Sequence, residues 1–316
     1  MGLLITMLAG AVIACFSLGY KLRMRFDLSI ELLVFAFSLF LPVYSFIFVI
    51  IFGQHFYSDA ALFLGIPMGL CFAFAIYSYH KVINLAKLNV SWTIIQFSVL
   101  LPFLFSIIVY KESPPVSALI GVGIILVSIV LFGTKDEKTQ KRAIPDIRTG
   151  ALLFLATFLS GLNQIFIKIY ASGYDKSDTF TLFIYSGMTM AVTMGIIVLV
   201  TRKKRLNAES AAPPQASSTE PAGEPGNKTR ALSKKHAFIL IAAYMGFFSI
   251  LGMGLTVIGL KTVPGSIAYP LRNAVNIIVV FVLSHLLFKE TTRKIEFVGI
   301  AVAIAGIVIL SSSMVS

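Results

Sequence analysis

The chain has 316 residues, 57% of them hydrophobic and only 13% charged, with a formal net charge of +12 and a mean hydropathy of +0.90. Soluble domains carry about 25% charged residues, so this composition excludes an ordinary soluble domain and points to a chain that crosses a membrane several times. The positive charge does not imply nucleic acid, because the cations fall in the gaps between apolar runs and form no basic face with interleaved aromatics.

A spanning helix needs about 20 apolar residues. By that measure the sequence predicts ten spans: 2–20, 29–52, 58–79, 83–110, 115–133, 149–171, 177–201, 236–260, 264–288 and 295–313. Backbone groups in lipid must be paired within their own segment, and the period-two alternation of a barrel is absent. The expected fold class is therefore an all-α integral membrane protein.

The first run is apolar from Gly2 onward, and its cations Lys21, Arg23 and Arg25 follow it. It reads as a retained helix, not a signal peptide, whose basic residues would come first. Pro42, Pro67, Pro102 and Pro270 predict kinks taken up by packing, or hinges beside a cavity. Gly65 to Gly69 forms a GxxxG that lets backbones approach closely, which keeps a homodimer among the candidate partners. The fourth run is long for one span and is expected to be broken or tilted. Cys15 and Cys71 lie within apolar runs and read as packing residues, with no disulfide.

The longest polar stretch, residues 203–235, has the composition of a disordered linker: Ala-Ala-Pro-Pro-Gln-Ala-Ser-Ser and Pro-Ala-Gly-Glu-Pro-Gly between basic ends. Asn227-Lys-Thr matches a glycosylation sequon but falls on the expected cytoplasmic side. The loops after runs one, three, five, seven and nine hold 21 of the 26 Lys and Arg, and the opposite loops and ends hold 4. The positive-inside rule then places the linker in the cytoplasm and both termini outside.

Sliding the chain by 178 positions superposes Lys111 on Lys289, Glu112 on Glu290, Ser106 on Ser284, Phe103 on Phe281 and Gly121 on Gly299, with no gap from Ser98 to Phe132. The chain reads as a duplication, residues 1–134 and 149–316, joined by a basic loop at 135–148 and interrupted by the linker. Five helices per copy is an odd number, so the second copy is inverted in the membrane. Such repeats are the plan of secondary transporters, with substrate held near the midplane.

At this point the chain resembles the drug/metabolite transporter superfamily, of the type with two EamA-like five-helix repeats. The resemblance rests on Lys111-Glu112 and Lys289-Glu290, which stand at that family's Gly-Glu position, each followed by a Gly/Ala-rich fifth helix. It rests also on Ser160-Gly161 through Lys168, similar to the family's Trp-Gly…Lys pattern, which Ala9-Gly10 and Ser17 to Lys21 match poorly. The resemblance implies a solute carrier working by alternating access in a bacterial or comparable plasma membrane. Members of this family are usually drawn with both termini in the cytoplasm, opposite to the charge count.

Polar groups inside hydrocarbon are costly, so each is a functional candidate. Arg272, beside Asn273 and one turn from Asn276, could hold a carboxylate or phosphate in a bidentate fork, or could snorkel to the interface. Asn163 and Gln164, with Lys168 one turn on, form a polar stripe in the sixth run. Trp92 and Gln96 stand at i and i+4 in the fourth, and Tyr185 and Tyr269 are candidate cavity walls. None of the 14 acidic residues falls near the middle of a predicted span. A cavity with cations and no acid favours anionic or zwitterionic metabolites over cationic drugs.

There is no HExxH, GxSxG or P-loop, and the four His are dispersed; neither an enzyme nor a cofactor is expected. The reading is a ten-helix transporter of a small-molecule substrate, its cavity lined by helices 1, 3, 4, 6, 8 and 9. The alternatives are a flippase for a lipid-linked substrate and a membrane scaffold or channel subunit.

Overall fold

The computed structural model describes residues 1–26, 28–85, 95–133, 147–173, 178–211, 226–288 and 294–312. Among these residues the chain is helical, with no strand. In order the helices are α1 (Gly2–Phe26), α2 (Ile30–Ile51), α3 (Asp59–Leu85), α4 (Leu100–Ile108), α5 (Val116–Gly133), α6 (Ile147–Gly173), α7 (Thr179–Ala211), α8 (Gly226–Leu260), α9 (Gly265–Phe288) and α10 (Lys294–Ser312). Seven of them, α1, α2, α3, α6, α7, α8 and α9, are long and apolar enough to cross a membrane; the apolar helices around 97–108, 116–131 and 297–312 are shorter.

The fourth run differs most from its predicted bounds. α3 continues to Leu85, and α4 is a nine-residue helix entered through a 3₁₀ turn at Phe97–Val99. Residues 86–94 of this run lie outside the described residues; the 3₁₀ turn is the irregularity that is described, and Pro102 stands just after it, in the first turn of α4. A proline in the first turn of a helix gives up an N–H that has no intrahelical partner. The linker is shorter than its composition suggests, because α7 runs to Ala211 and α8 starts at Gly226. Residues 212–225 lie outside the described residues.

Pro42 and the GxxxG both serve helix packing. A Cβ on Gly187 of α7 would lie 2.8 Å from Pro42 Cδ, so the ring of Pro42 fills the notch that Gly187 leaves. Gly65 and Gly69 of α3 turn to the same helix: a side chain at Gly65 would meet Tyr185 and the Leu182 carbonyl, and one at Gly69 the Ser186 carbonyl. The close approach that GxxxG permits is thus used inside the molecule.

The pairing of helices has a regular pattern. α1 packs on α8, and α6 on α3; α3 packs on α7, and α8 on α2; α1 packs on α9, and α6 on α4. Three further pairs, α2 with α7, α4 with α9 and α5 with α10, join helices five apart in the chain. Adding or subtracting five in the helix number turns each pairing into another or into itself. All the extensive contacts join one of the first five helices to one of the last five.

Candidate functional site

Three helices bring side chains to Arg272, and backbone geometry decides how closely they come. α1 crosses α9 at Gly10, where any side chain would collide with the Arg272 carbonyl oxygen and with Val275. α6 crosses the start of α4 at Gly161, where a Cβ would stand 2.7 Å from Leu101 Cβ and 3.0 Å from the Ser98 carbonyl. These two glycines draw α1, α4, α6 and α9 together around one point.

At that point Arg272 donates to Gln164 Oε1 at 2.6 Å and, more weakly, to Thr256 Oγ1 at 3.4 Å. Its guanidinium lies over the Tyr269 ring, 5.3 Å from the centroid, a cation–π contact. Tyr269 is fully buried, and its hydroxyl donates to the Gln164 carbonyl at 2.6 Å. Gln164 donates through Nε2 to Ser98 Oγ at 3.2 Å, which leaves its Oε1 facing the cation. Thr256 is held in turn by a bond from its hydroxyl to the Gly252 carbonyl at 2.8 Å.

No carboxylate among the described residues lies within ion-pair distance of Arg272. The guanidinium has five N–H donors, and two are engaged. Arg272, Gln164 and Gln96 all keep partial exposure although Leu271, Ala274 and Tyr269 around them keep none. A cation inside an apolar helix bundle, with no carboxylate in ion-pair distance among the described residues, can recruit an anion.

The other predicted residues divide into two groups. Asn273 donates to the Gln96 carbonyl at 3.3 Å, tying α9 to the entry of α4. Asn276 and Asn163 are both 5% exposed, and each leaves Oδ1 without a hydrogen-bond partner. Asn276 stands one turn beyond Arg272 on α9. Lys168 is not part of the Arg272 group: it is 4% exposed and pairs with Glu112 at 2.7 Å. Tyr185 packs against Gly65 at the α3–α7 contact. Trp92 lies outside the described residues. Thr256 and Ser98 were not legible as site residues, since each is one hydroxyl in an apolar run with no charged neighbour to mark it.

The Glu112 cluster sits at the end of the bundle where α4 joins α5. Its Oε1 accepts from Lys168 Nζ at 2.7 Å and from the Gly265 N–H at 3.0 Å. Its Oε2 accepts from the Ser266 N–H and hydroxyl, both at 2.8 Å. The first N–H groups of a helix have no intrahelical partner, and here a side chain from the other half of the chain caps α9. Burial alone would raise the Glu112 carboxyl; Lys168, Ser266 and Gly265 outweigh it and hold it below the ordinary carboxylate range.

A separate groove of about 420 Å³ lies between Leu28, Ser29, Leu32, Phe238 and Ile239, with Lys234 and Lys235 at its rim. It shares no residue with the Arg272 group.

The EamA-like transporter family matches residues 148–312. No curated protein matches the chain. A solved structure described only as the crystal structure of a protein aligns with a TM-score of 0.72, covering 98% of this chain and 98% of its own at 12% identity. At that identity the likeness extends to the fold alone.

Proposed function

Because the chain belongs to the EamA-like transporter family, whose members move small molecules across membranes, we propose that it is a secondary transporter of small anionic or zwitterionic metabolites working by alternating access. In this reading ten helices cross a plasma membrane as two inverted five-helix repeats. The basic ends face the cytoplasm and both termini face outward, as the charge asymmetry favours. The five-apart pairing of helices supports the repeats, since an inverted duplication generates that exchange of partners.

Arg272 carries the substrate reading. It is a cation deep in the bundle with donors to spare, no acid beside it among the described residues and a polar frame of Gln164, Thr256 and Tyr269 that fixes its plane. A carboxylate or phosphate placed there gains a charge-assisted fork, each bond to a charged group being worth about 1.5–3 kcal/mol. The orphan Oδ1 atoms of Asn163 and Asn276 offer acceptors for a hydroxyl or ammonium on the same small molecule.

The test is a thermal-shift screen of the purified protein against dicarboxylates, phosphate esters, zwitterionic amino compounds and quaternary ammonium ions. It compares wild type with Arg272→Ala and Arg272→Lys. A ligand at a hundred times its Kd stabilises by about 2.7 kcal/mol. Anionic or zwitterionic compounds should stabilise wild type, and Arg272→Ala should lose only that response. Arg272→Lys should recover part of it, because a point charge replaces the fork. Equal stabilisation of all three proteins by quaternary ammonium ions alone would sink the anion reading.

A further inference from the structure

We propose that Glu112 is a latch that must release in each transport cycle, and that the released carboxylate is a proton-binding site. The inference rests on the alternating-access reading, but its test requires no substrate.

The geometry is that of a single side chain holding two moving parts. Glu112 belongs to the first half of the chain, and all four of its donors belong to the second half, on α6 and at the start of α9. Those are the helices that carry the candidate site. Gln164 lies one turn from Lys168 on α6. Arg272 lies six residues beyond Ser266 on α9, roughly 9 Å along the axis at 1.5 Å per residue. Lys168, Ser266 and Tyr269 are nearly or fully buried, so this end of the bundle is shut in the state described. For a small molecule to reach Arg272 from this end, α6 and α9 have to part from the α4–α5 connection. That movement breaks the ion pair and the helix cap together.

The chemistry of release follows. In the latched state the carboxylate is satisfied by one ammonium, two amide N–H groups and one hydroxyl, and a proton there would cost most of these contacts. Once released it faces water, as an ordinary carboxyl group. The open state therefore binds a proton more readily than the shut state, and by linkage a proton favours opening. The balance is simple: one proton from solvent joins the Glu112 carboxylate.

Other groups at this end could titrate in its place. Lys168 from α6, Tyr269 from α9, and Tyr110 and Lys111 on the connection itself surround the carboxylate; the Lys168 ammonium lies over the Tyr110 ring at 5.1 Å. The α8–α9 connection carries Lys261. The start of α1 abuts it through Gly2, which meets Thr262 and Val263 and brings the Met1 amino group to the same end. Replacing Glu112 by Gln removes the carboxyl and leaves all of these in place, so that variant identifies the group.

The experiment uses the full chain in lipid nanodiscs with Cys15 and Cys71 replaced by Ser. Spin labels are placed at the exposed positions Ser113 and Thr262, on the two sides of the latch, and their distance is measured from about pH 7.5 to about pH 3. A second pair across α5 and α10 controls for unfolding. Wild type should give one short distance at neutral pH and a longer population growing below about pH 4.5, with the control pair unchanged. Glu112→Gln should show the longer population at pH 7.5 and no further change with acid. Lys168→Met should show it at pH 7.5 and still respond to acid through the remaining cap. A wild-type distance that stays constant over the whole range overturns the proposal, even if Glu112→Gln fails to fold. So does an acid response of equal size in Glu112→Gln.

Discussion

Lys111 sits in the left-handed region of backbone space, with φ of +52°. The chain turns there so that the Glu112 N–H can reach the Ser106 carbonyl at 3.2 Å and the Glu112 side chain can face α9. A residue with a Cβ gives up roughly 1–2 kcal/mol in that conformation, and glycine does not. Lys111→Gly should therefore raise stability by about 1 kcal/mol, read as a higher melting temperature in detergent with the Ser113–Thr262 distance unchanged. Glu112 gives a pH signature of the opposite kind. Its carboxyl is held below the usual range in the folded state. Its contribution is thus complete above the unfolded-state value of about 4.3 and is lost as pH falls through the lower folded value. The melting difference between wild type and Glu112→Gln should be constant at neutral pH and shrink in acid; a difference that grows in acid would contradict the cap.

These two residues also mark where sequence reading succeeds and stops. The Lys-Glu pair was recognisable as the most specific feature of the hairpin, and Arg272 as the sharpest polar candidate. What Glu112 touches was not legible, because its partners Gly265 and Ser266 lie 153 and 154 residues away and nothing local announces a cap on another helix. Lys168 was ambiguous for the same reason: one lysine near a helix end reads alike whether it meets substrate, lipid headgroups or a distant carboxylate.

At the scale of the helix, apolar runs and turn residues located nearly every element, because hydrocarbon thickness fixes the length of a span. The fourth run resisted, since composition is apolar across both the α3 extension and the 3₁₀ entry to α4. Helix ends in the linker resisted too. α7 has 33 residues and α8 has 35, roughly 50 Å each at 1.5 Å per residue, well beyond a hydrocarbon core of about 30 Å. Polar composition there signalled exposure to water, and a solvated helix end has the same signature as a loop. The glycines of α3 allow a direct test. Gly69→Leu would drive a side chain into the Ser186 carbonyl and should lower the melting temperature, at a cost of about 1–3 kcal/mol from overpacking, without changing the oligomeric state. If it instead dissociated a dimer with the monomer's stability intact, the α3–α7 contact would not be where these glycines act.

For the molecule as a whole, the helix pairings carry the argument. α1 with α8, α2 with α7, α3 with α6 and α5 with α10 each join the first half of the chain to the second. Among the described residues, the extensive pairings run between the first five helices and the last five, and those inside either set are slight. The α5–α10 seam shows this at close range, where a Cβ on Gly121 would stand 2.9 Å from Leu310 Cβ and one on Gly306 2.8 Å from Ile125 Cγ1. Each helix finds in the other half the surface it needs.

The peptide bond joining the halves is, in that case, a tether between two mutual templates. Cut within 135–148, residues 1–140 and 141–316 made as separate polypeptides should find each other in the bilayer and co-purify through a tag on either one. Each fragment made alone should be degraded. What the tether supplies is local concentration and a one-to-one ratio, the advantage any linked pair has over free partners. A fragment pair that never associates, although both pieces insert, would mean that the crossing helices are assembled only in the order of synthesis.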